Sequence, residues 1–108
     1  MTKLAIVTGA GQGIGKGIAE RLVKDGYAIA VADINSETAT EVVNKLRNKG
    51  YQAKAYYVDV DNRNEVFALG KHAVADLGDL ALYVNNAGIA LLIALLILTL
   101  NVLNVYLM

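Results

Sequence analysis

The chain of 108 residues is predicted to fold as an α/β domain with a doubly wound parallel sheet. Over residues 1–88, short apolar runs typical of strands alternate with segments whose apolar residues recur at helical spacing. A glycine stands near most junctions, where it can end a helix in the left-handed conformation. We therefore expect about four strands, with residues 89–108 as an apolar C-terminal helix of the same domain.

The first half of the chain predicts two strands and two helices. Strands are expected at residues 4–8 and 28–33, because both runs are apolar and short. The first helix, at residues 14–25, is expected to bury Ile14, Ile18 and Leu22 and to end at Gly26. The second helix begins at a cap, Asn35 or Ser36, and ends at Gly50. Its predicted inner face consists of Ala39, Val42, Val43 and Leu46.

The second half predicts a third strand at residues 52–58, a helix and a fourth strand. The helix is expected to start at Asn62 and stop at Gly78. Its predicted inner face consists of Val66, Leu69, Ala73 and Leu77. Gly70 lies inside this helix and should cost about 1 kcal/mol relative to alanine unless a neighbour needs the space. The fourth strand, residues 80–84, is almost entirely apolar, which predicts burial on both faces.

The turn after the first strand carries glycine at positions 9, 11, 13 and 15. Glycines allow positive φ and leave amide groups bare at the start of a helix, where the macrodipole favours an anion. This context predicts binding of a dinucleotide pyrophosphate. A nucleoside triphosphate loop is disfavoured, because Gly15-Lys16 is followed by Gly17 where that motif needs serine or threonine.

Asp33 ends the second strand, at the position where an acidic residue follows such a glycine turn. Its carboxylate can accept hydrogen bonds from both hydroxyls of an adenosine ribose. No arginine or lysine adjoins it, so a 2′-phosphate would meet a like charge, and NAD(H) is expected over NADP(H). In the alternative interpretation, the glycines only form a tight turn and Asp33 caps the next loop.

Composition excludes several classes of protein. Ten basic and ten acidic residues cancel, without a basic run, which argues against a nucleic-acid partner. Cysteine is absent and there is a single histidine, so neither disulfides nor a metal site are expected. Without cysteine or a leading signal sequence, a cytoplasmic location is expected.

The C-terminal segment, residues 89–108, contains no charged residue, and no charge follows Asp79. As a helix it would span roughly 30 Å, enough for a bilayer core. Membrane insertion is nevertheless disfavoured, because no basic residue flanks the far end and Asn101 and Asn104 interrupt the run. A buried interface in a homo-oligomer is the favoured interpretation, with aggregation as a further alternative.

Four motifs in order make the chain resemble the short-chain dehydrogenase/reductase family over residues 1–90. Its Thr-Gly-x-x-x-Gly-x-Gly motif is met by residues 8–15, its acidic selector by Asp33, its adenine-contacting aspartate by Asp59, and its Asn-Asn-Ala-Gly by residues 85–88. The amino-acid sequence around these motifs is most similar to the acetoin (diacetyl) reductase and butanediol dehydrogenase branch.

The resemblance implies that residues 1–88 form a Rossmann-like domain that binds NAD. In such a domain, Asp59 would accept a hydrogen bond from the adenine amine, and the Val60 amide would donate to a ring nitrogen. Asp59 as a helix cap, and Asn85 and Asn86 as purely structural bridges, remain alternatives. The implied cofactor-binding residues are Thr8, Gly9, Gln12, Gly13, Ile14, Gly15, Asp33, Asp59, Val60, Asn86, Ala87 and Gly88.

The family's catalytic residues have no counterpart, so no catalytic residue is assigned. Reductases of this family use a tyrosine with a lysine four residues later, and a serine that steadies the substrate oxygen. None of the six tyrosines here is followed by such a lysine, and the only serine, Ser36, lies at a predicted helix cap.

The implied function is the NAD(H)-binding part of an oxidoreductase. The enzyme would transfer hydride between nicotinamide and a small ketone or secondary alcohol resembling acetoin or diacetyl. The alternative is a non-catalytic nucleotide-binding or assembly module with a hydrophobic oligomerisation or membrane tail.

Overall fold

The computed structural model describes residues 3–11 and 13–86. Within them it contains four strands and three helices in strict alternation, as predicted. The C-terminal segment, and the helix predicted for it, lie outside the described residues. The elements are β1 (Lys3–Thr8), α1 (Gly13–Lys24), β2 (Ala28–Asp33), α2 (Ser36–Asn48), β3 (Ala53–Tyr57), α3 (Arg63–Leu77) and β4 (Asp79–Asn85).

The four strands form one parallel sheet in the order β3-β2-β1-β4. The chain moves outward from β1 to β3 and then crosses back over to β4 on the other side of β1. Because such crossovers are right-handed, this reversal places α1 and α2 on one face and α3 on the other. The predicted doubly wound α/β sheet is therefore confirmed.

Each face of the sheet carries its own hydrophobic core, and β1 contributes to both. Ala5 and Val7 belong to the core under α1 and α2, while Leu4 and Ile6 belong to the core under α3. All four are fully buried. This alternation follows from the two-residue period of a strand, and it buries β1 on both faces of the sheet at the point from which the next loop departs.

Helix α1 is rotated relative to its predicted orientation. Ile14, expected on the inner face, is 66% exposed, while Gly15, Ala19 and Val23 are the buried residues. Ile18 and Leu22 pack against the core from its margin. The prediction for Ile14 was wrong because it rested on apolar periodicity alone, whereas the helix turns the side-chain-free Gly15 toward the sheet.

Strand β4 is more exposed than predicted. It was expected to be buried on both faces, but Leu80 and Leu82 are 46% and 36% exposed. Among the described residues, β4 pairs with β1 alone and so lies at the margin of the sheet. Its register also shifts between Leu4 and Ala5. The apolar composition of the run did not reveal this marginal position.

Helices α2 and α3 agree with prediction. Asn35 caps α2 by accepting from the amides of Glu37 and Thr38, and Asn62 caps α3 by accepting from that of Glu65. All four inner-face residues predicted for α2 are buried. In α3, Leu69 and Ala73 are buried, while Val66 and Leu77 pack at the core margin. A Cβ on Gly70 would meet no atom of the described residues within 4 Å, so packing among them does not require glycine there.

Helices α1 and α2 end with the same backbone arrangement. Gly26 and Gly50 adopt φ of 102° and 89°, in the left-handed region that glycine tolerates. The amide of the following tyrosine, Tyr27 or Tyr51, donates to the carbonyl of Leu22 or Leu46. Both helices therefore stop as the glycine pattern predicted. Among the described residues, no helix combines the length and apolarity needed to cross a membrane.

Candidate functional site

The candidate site lies at the carboxyl edge of the sheet, where the glycine-rich loop, residues 9–15, leaves β1 and enters α1. Gly9 and Gly13 adopt φ of 63° and 62°. A Cβ on Gly13 would meet no atom within 4 Å in the described part of the chain, so the backbone faces open space at the first turn of the helix. Unpaired amides at such a helix start attract an anion. Gln12 lies outside the described residues.

Gly15 lets α1 dock directly on this loop. A Cβ there would collide with the carbonyl oxygen of Gly9 and lie 2.9 Å from Asn86 Nδ2. That Asn86 amide donates to the Gly9 carbonyl at 3.5 Å. Asn86 therefore contacts the glycine-rich loop. Ile14, beside it on α1, is exposed at the loop.

The carboxylate of Asp33 is buried, with 8% exposure, and both its oxygens accept backbone hydrogen bonds. Oδ2 accepts from the Gly11 amide at 2.8 Å, and Oδ1 accepts from the Asn35 amide at 3.0 Å. The second bond corresponds to the loop-capping role considered from the sequence. The first bond joins Asp33 to the glycine-rich loop, which brings two motifs far apart in the chain into contact.

A cavity of about 180 Å³ opens between Gly9 and the ends of β2 and β3. Asp33, Asp59 and Val60, all predicted site residues, line it. Ile34, Val58 and Asp61 also line it but were not assigned from the sequence. Their only sequence signal is that each lies within two positions of an assigned aspartate. No lysine, arginine or histidine of the described residues lines this cavity.

Asp59 is held at the cavity by local hydrogen bonds. Its Oδ1 accepts from the Asp61 amide at 3.0 Å, and its own amide donates to Glu65 Oε1 at 3.1 Å. The side-chain cap of α3 is Asn62, not Asp59. The alternative in which Asp59 serves as the helix cap is therefore not what the structure contains.

Thr8 and Asn85 connect the ends of β1 and β4. The buried Thr8 hydroxyl lies 3.2 Å from Asn85 Oδ1 and 3.3 Å from the Val84 carbonyl oxygen. Thr8 therefore directs its hydroxyl toward the end of β4. Ala87 and Gly88, the remaining assigned residues, lie outside the described residues.

Two described tyrosines have environments that oppose proton donation to a substrate at neutral pH. Burial, and a hydrogen bond of 2.7 Å from its hydroxyl to Asp76, raise the pKa of Tyr56 above its ordinary value. Burial also raises the pKa of Tyr83. Lys54 lies 5.7 Å from the Tyr56 ring centre, but its ammonium pairs with Asp76 at 2.9 Å. Neither tyrosine is activated as a general acid.

Two larger cavities, of about 260 and 330 Å³, lie at the opposite edge of the sheet, around Gly26 and Tyr27. They contain none of the predicted site residues. Ligands of open parallel sheets bind beyond the carboxyl ends of the strands, so size alone does not make these cavities the site.

The strand order, the glycine turn between β1 and α1, and the carboxylate ending β2 together define a Rossmann-like domain. The family model described as short chain dehydrogenase matches residues 3–102. The chain belongs to the short-chain dehydrogenase family, which confirms the resemblance drawn from its motifs.

Individual relatives agree with this placement. The chain is 48% identical over 89 residues to a diacetyl reductase [(S)-acetoin forming] of Staphylococcus epidermidis, covering 82% of this chain and 35% of that protein. A 7α-hydroxysteroid dehydrogenase solved with NADH and 7-oxoglycochenodeoxycholic acid superposes with a TM-score of 0.73 at 40% identity, covering 75% of this chain and 32% of that one. An actinorhodin polyketide ketoreductase with NADPH gives 0.73 at 34% identity, covering 78% and 32%. The chain thus spans about a third of their length.

Proposed function

We propose that this chain is the NAD(H)-binding part of an oxidoreductase that acts on a small ketone or secondary alcohol. The observation that carries the proposal is the cavity bounded by Gly9 on one side and the buried Asp33 carboxylate on the other. The loop that contains Gly9 leads to the start of α1, where the space beside Gly13 is open among the described residues. A dinucleotide needs both features next to each other, because its pyrophosphate and adenosine ribose are covalently joined.

The residues present fit this cofactor. The amides at the start of α1 would hold the pyrophosphate, and the remaining lone pairs of Asp33 would accept from the ribose hydroxyls. Asp59 and the Val60 amide would contact adenine, with Ile34 offering an exposed apolar surface beside it. When bound, the nicotinamide supplies or accepts the hydride.

The charges of the cavity favour NAD(H) over NADP(H). Asp33, Asp59 and Asp61 line it without a basic partner among the described lining residues. A 2′-phosphate would be repelled by these carboxylates, since like charges at short range disfavour each other's ionised forms. The solved relatives include proteins with NADH and with NADPH, so this preference rests on the cavity of this chain.

Ligand-dependent stability tests the proposal. NADH at one hundred times its Kd should stabilise the fold by about 2.7 kcal/mol. Asp33→Ala should remove most of this stabilisation, and NADPH should bind at least about tenfold more weakly than NADH because of the 2′-phosphate repulsion. Asp25→Ala is the matched control, because Asp25 is an aspartate paired with Arg21 outside this cavity. Equal thermal shifts in wild type and Asp33→Ala would contradict the assignment.

The substrate proposed is a small carbonyl compound resembling diacetyl or acetoin. This proposal is supported by the similarity to a diacetyl reductase and by the amino-acid sequence around the glycine and Asp33 motifs. In the presence of NADH, diacetyl and acetoin should bind the purified chain more tightly than a bulky steroid ketone, as measured by titration. Tighter binding of the steroid ketone would contradict the substrate class.

A non-catalytic binding or assembly module is the second candidate. It is favoured by the uncharged residues 89–108, whose apolar side chains an assembly would cover. Turnover of diacetyl with NADH would exclude this candidate, whereas NADH-dependent stabilisation without turnover would support it.

The uncharged C-terminal segment supports a homo-oligomer. A monomer in sedimentation equilibrium would contradict the oligomer.

A further inference from the structure

The Gly11 amide is already engaged by a side chain of this protein. It lies in the glycine-rich loop between Gly9 and Gly13, both of which adopt positive φ. Gly11 is buried and donates to Asp33 Oδ2 at 2.8 Å. A hydrogen bond to a carboxylate is shorter and stronger than one between neutral groups, especially away from solvent. One of the loop's amides is therefore not available to a phosphate.

The same carboxylate also holds the entry to α2. Its Oδ1 accepts from the Asn35 amide, and Asn35 is the N-cap of that helix. Gly11 packs against this helix start as well. A Cβ on Gly11 would collide with Thr38 Oγ1 and lie 3.1 Å from the Ala39 amide nitrogen. Asp33 thus links the loop after β1 to the first turn of α2 from a buried position.

We infer that Asp33 is a positioning residue for the glycine-rich loop, which it holds in its phosphate-binding conformation before any cofactor binds. The inference rests on the proposed function, since it concerns the loop that would hold the pyrophosphate. In this arrangement the Gly11 amide donates to Asp33, and the amides at the start of α1 bind the anion. Loss of the Asp33 carboxylate should then weaken binding even of a ligand that has no ribose.

Amide hydrogen exchange in the cofactor-free protein provides the first test. In wild type, the Gly11 amide should exchange at least about tenfold more slowly than an unstructured glycine. Asp33→Asn should accelerate exchange at Gly11 or Asn35. The asparagine side chain has one oxygen that can accept from one of these amides, whereas its NH₂ group cannot accept from the other. Asp61→Asn is the matched control, since it removes the same charge from the same cavity without a hydrogen bond to Gly11. It should leave both amides protected.

Binding of inorganic pyrophosphate, followed by the amide resonances of Gly9 and Gly13, provides the second test. Asp33→Asn should weaken binding by about tenfold, the effect of losing one charge-assisted hydrogen bond. Removal of a nearby negative charge would alone strengthen binding of an anion, so Asp61→Asn should bind as well as wild type or better. Equal affinity in the two variants would overturn the inference.

The outcomes separate this inference from the proposed function. If NADH stabilises wild type but Asp33→Asn keeps both the Gly11 and the Asn35 amides protected and keeps pyrophosphate affinity, Asp33 contacts the ribose without positioning the loop. If NADH does not bind, the proposed function fails, and amide exchange alone decides the positioning role. If Asp33→Asn does not fold, the wild-type amide decides, because exchange at the unstructured rate at Gly11 would overturn the inference.

Discussion

Gly15 packs against the main chain of Gly9 so closely that a Cβ on Gly15 would lie 2.7 Å from the Gly9 carbonyl carbon. The contact fixes how α1 sits on the end of β1, and it explains why Gly15 rather than Ile14 faces the sheet. A close approach of this kind cannot relax by a side-chain rotation, because the neighbouring atoms belong to the backbone.

Gly15→Ala should therefore lower the free energy of unfolding by about 1–3 kcal/mol, the usual cost of overpacking. Gly17→Ala is the control in the same helix, since a Cβ there would meet nothing within 4 Å among the described residues. It should raise the free energy by about 0.5–1 kcal/mol, because alanine favours helix over glycine. Urea denaturation measures both changes. Equal effects in the two variants would contradict the contact.

Gly70→Ala should stabilise the protein by about 0.5–1 kcal/mol, because glycine in the interior of α3 has high conformational freedom in the unfolded chain and meets no close neighbour among the described residues. Gly50→Ala is the comparison, since its surroundings are equally open but its φ is 89°. It should destabilise the protein by about 1–2 kcal/mol through backbone strain. Thermal and urea unfolding of both variants provide the measurement. Destabilisation by Gly70→Ala would reveal a neighbour that packs on α3.

Stability should depend on pH through Asp76. A hydrogen bond from the Lys54 ammonium, followed by one from the Tyr56 hydroxyl, lowers the pKa of Asp76 below its ordinary value. A carboxyl with a lowered folded-state pKa contributes stability that is complete above the unfolded value of about 3.9. That contribution is lost as pH falls through the folded-state pKa.

Wild type should accordingly be more stable than Asp76→Asn at neutral pH, and the difference should begin to shrink below about pH 4 and close once pH falls below the folded-state pKa. Urea midpoints of both proteins between neutral and acid pH provide the measurement. In Tyr56→Phe, which keeps the Lys54 pair, the stability lost on acidification should be smaller and centred at a higher pH than in wild type. A gap between wild type and Asp76→Asn that does not change with pH would show that the pair does not form.

Thr8→Val should lower the free energy of unfolding by about 1 kcal/mol, because it removes the hydroxyl that joins β1 to the end of β4 without changing side-chain volume much. Thr40→Val is the matched control. The Thr40 hydroxyl donates to the Ser36 carbonyl from an exposed position on α2, where water can replace it. Its change should stay within about 0.5 kcal/mol. Urea unfolding of each variant tests the difference.

Local patterns predicted most of this fold. The apolar spacing of α2 identified Ala39, Val42, Val43 and Leu46 as its buried face, since that face is set by helical period alone. Strand ends and helix caps followed from glycine and asparagine positions. The orientation of α1 was missed because its controlling contact, between Gly9 and Gly15, involves no side chain and gives no hydrophobic signal.

The sequence supplied candidate residues for the site but not the contacts between them. The glycine spacing and Asp33 could be identified in order along the chain. The bond from Gly11 to Asp33 could not, because it joins residues on different elements whose relative placement depends on the whole sheet. Ile34 and Asp61 were missed for a related reason, since lining a cavity is a property of the assembled loops.

The strand order also has a consequence for how the molecule assembles. Pairs between β1 and β2, such as Leu4 with Ala28, join nearby parts of the chain, whereas Thr8 and Val84 are 76 positions apart. Because closing a longer loop costs more entropy, the β1–β3 portion is expected to form first during refolding or synthesis on the ribosome. A nascent chain would then form the cavity at Asp33 before Asn86 is in place to donate its hydrogen bond to the Gly9 carbonyl.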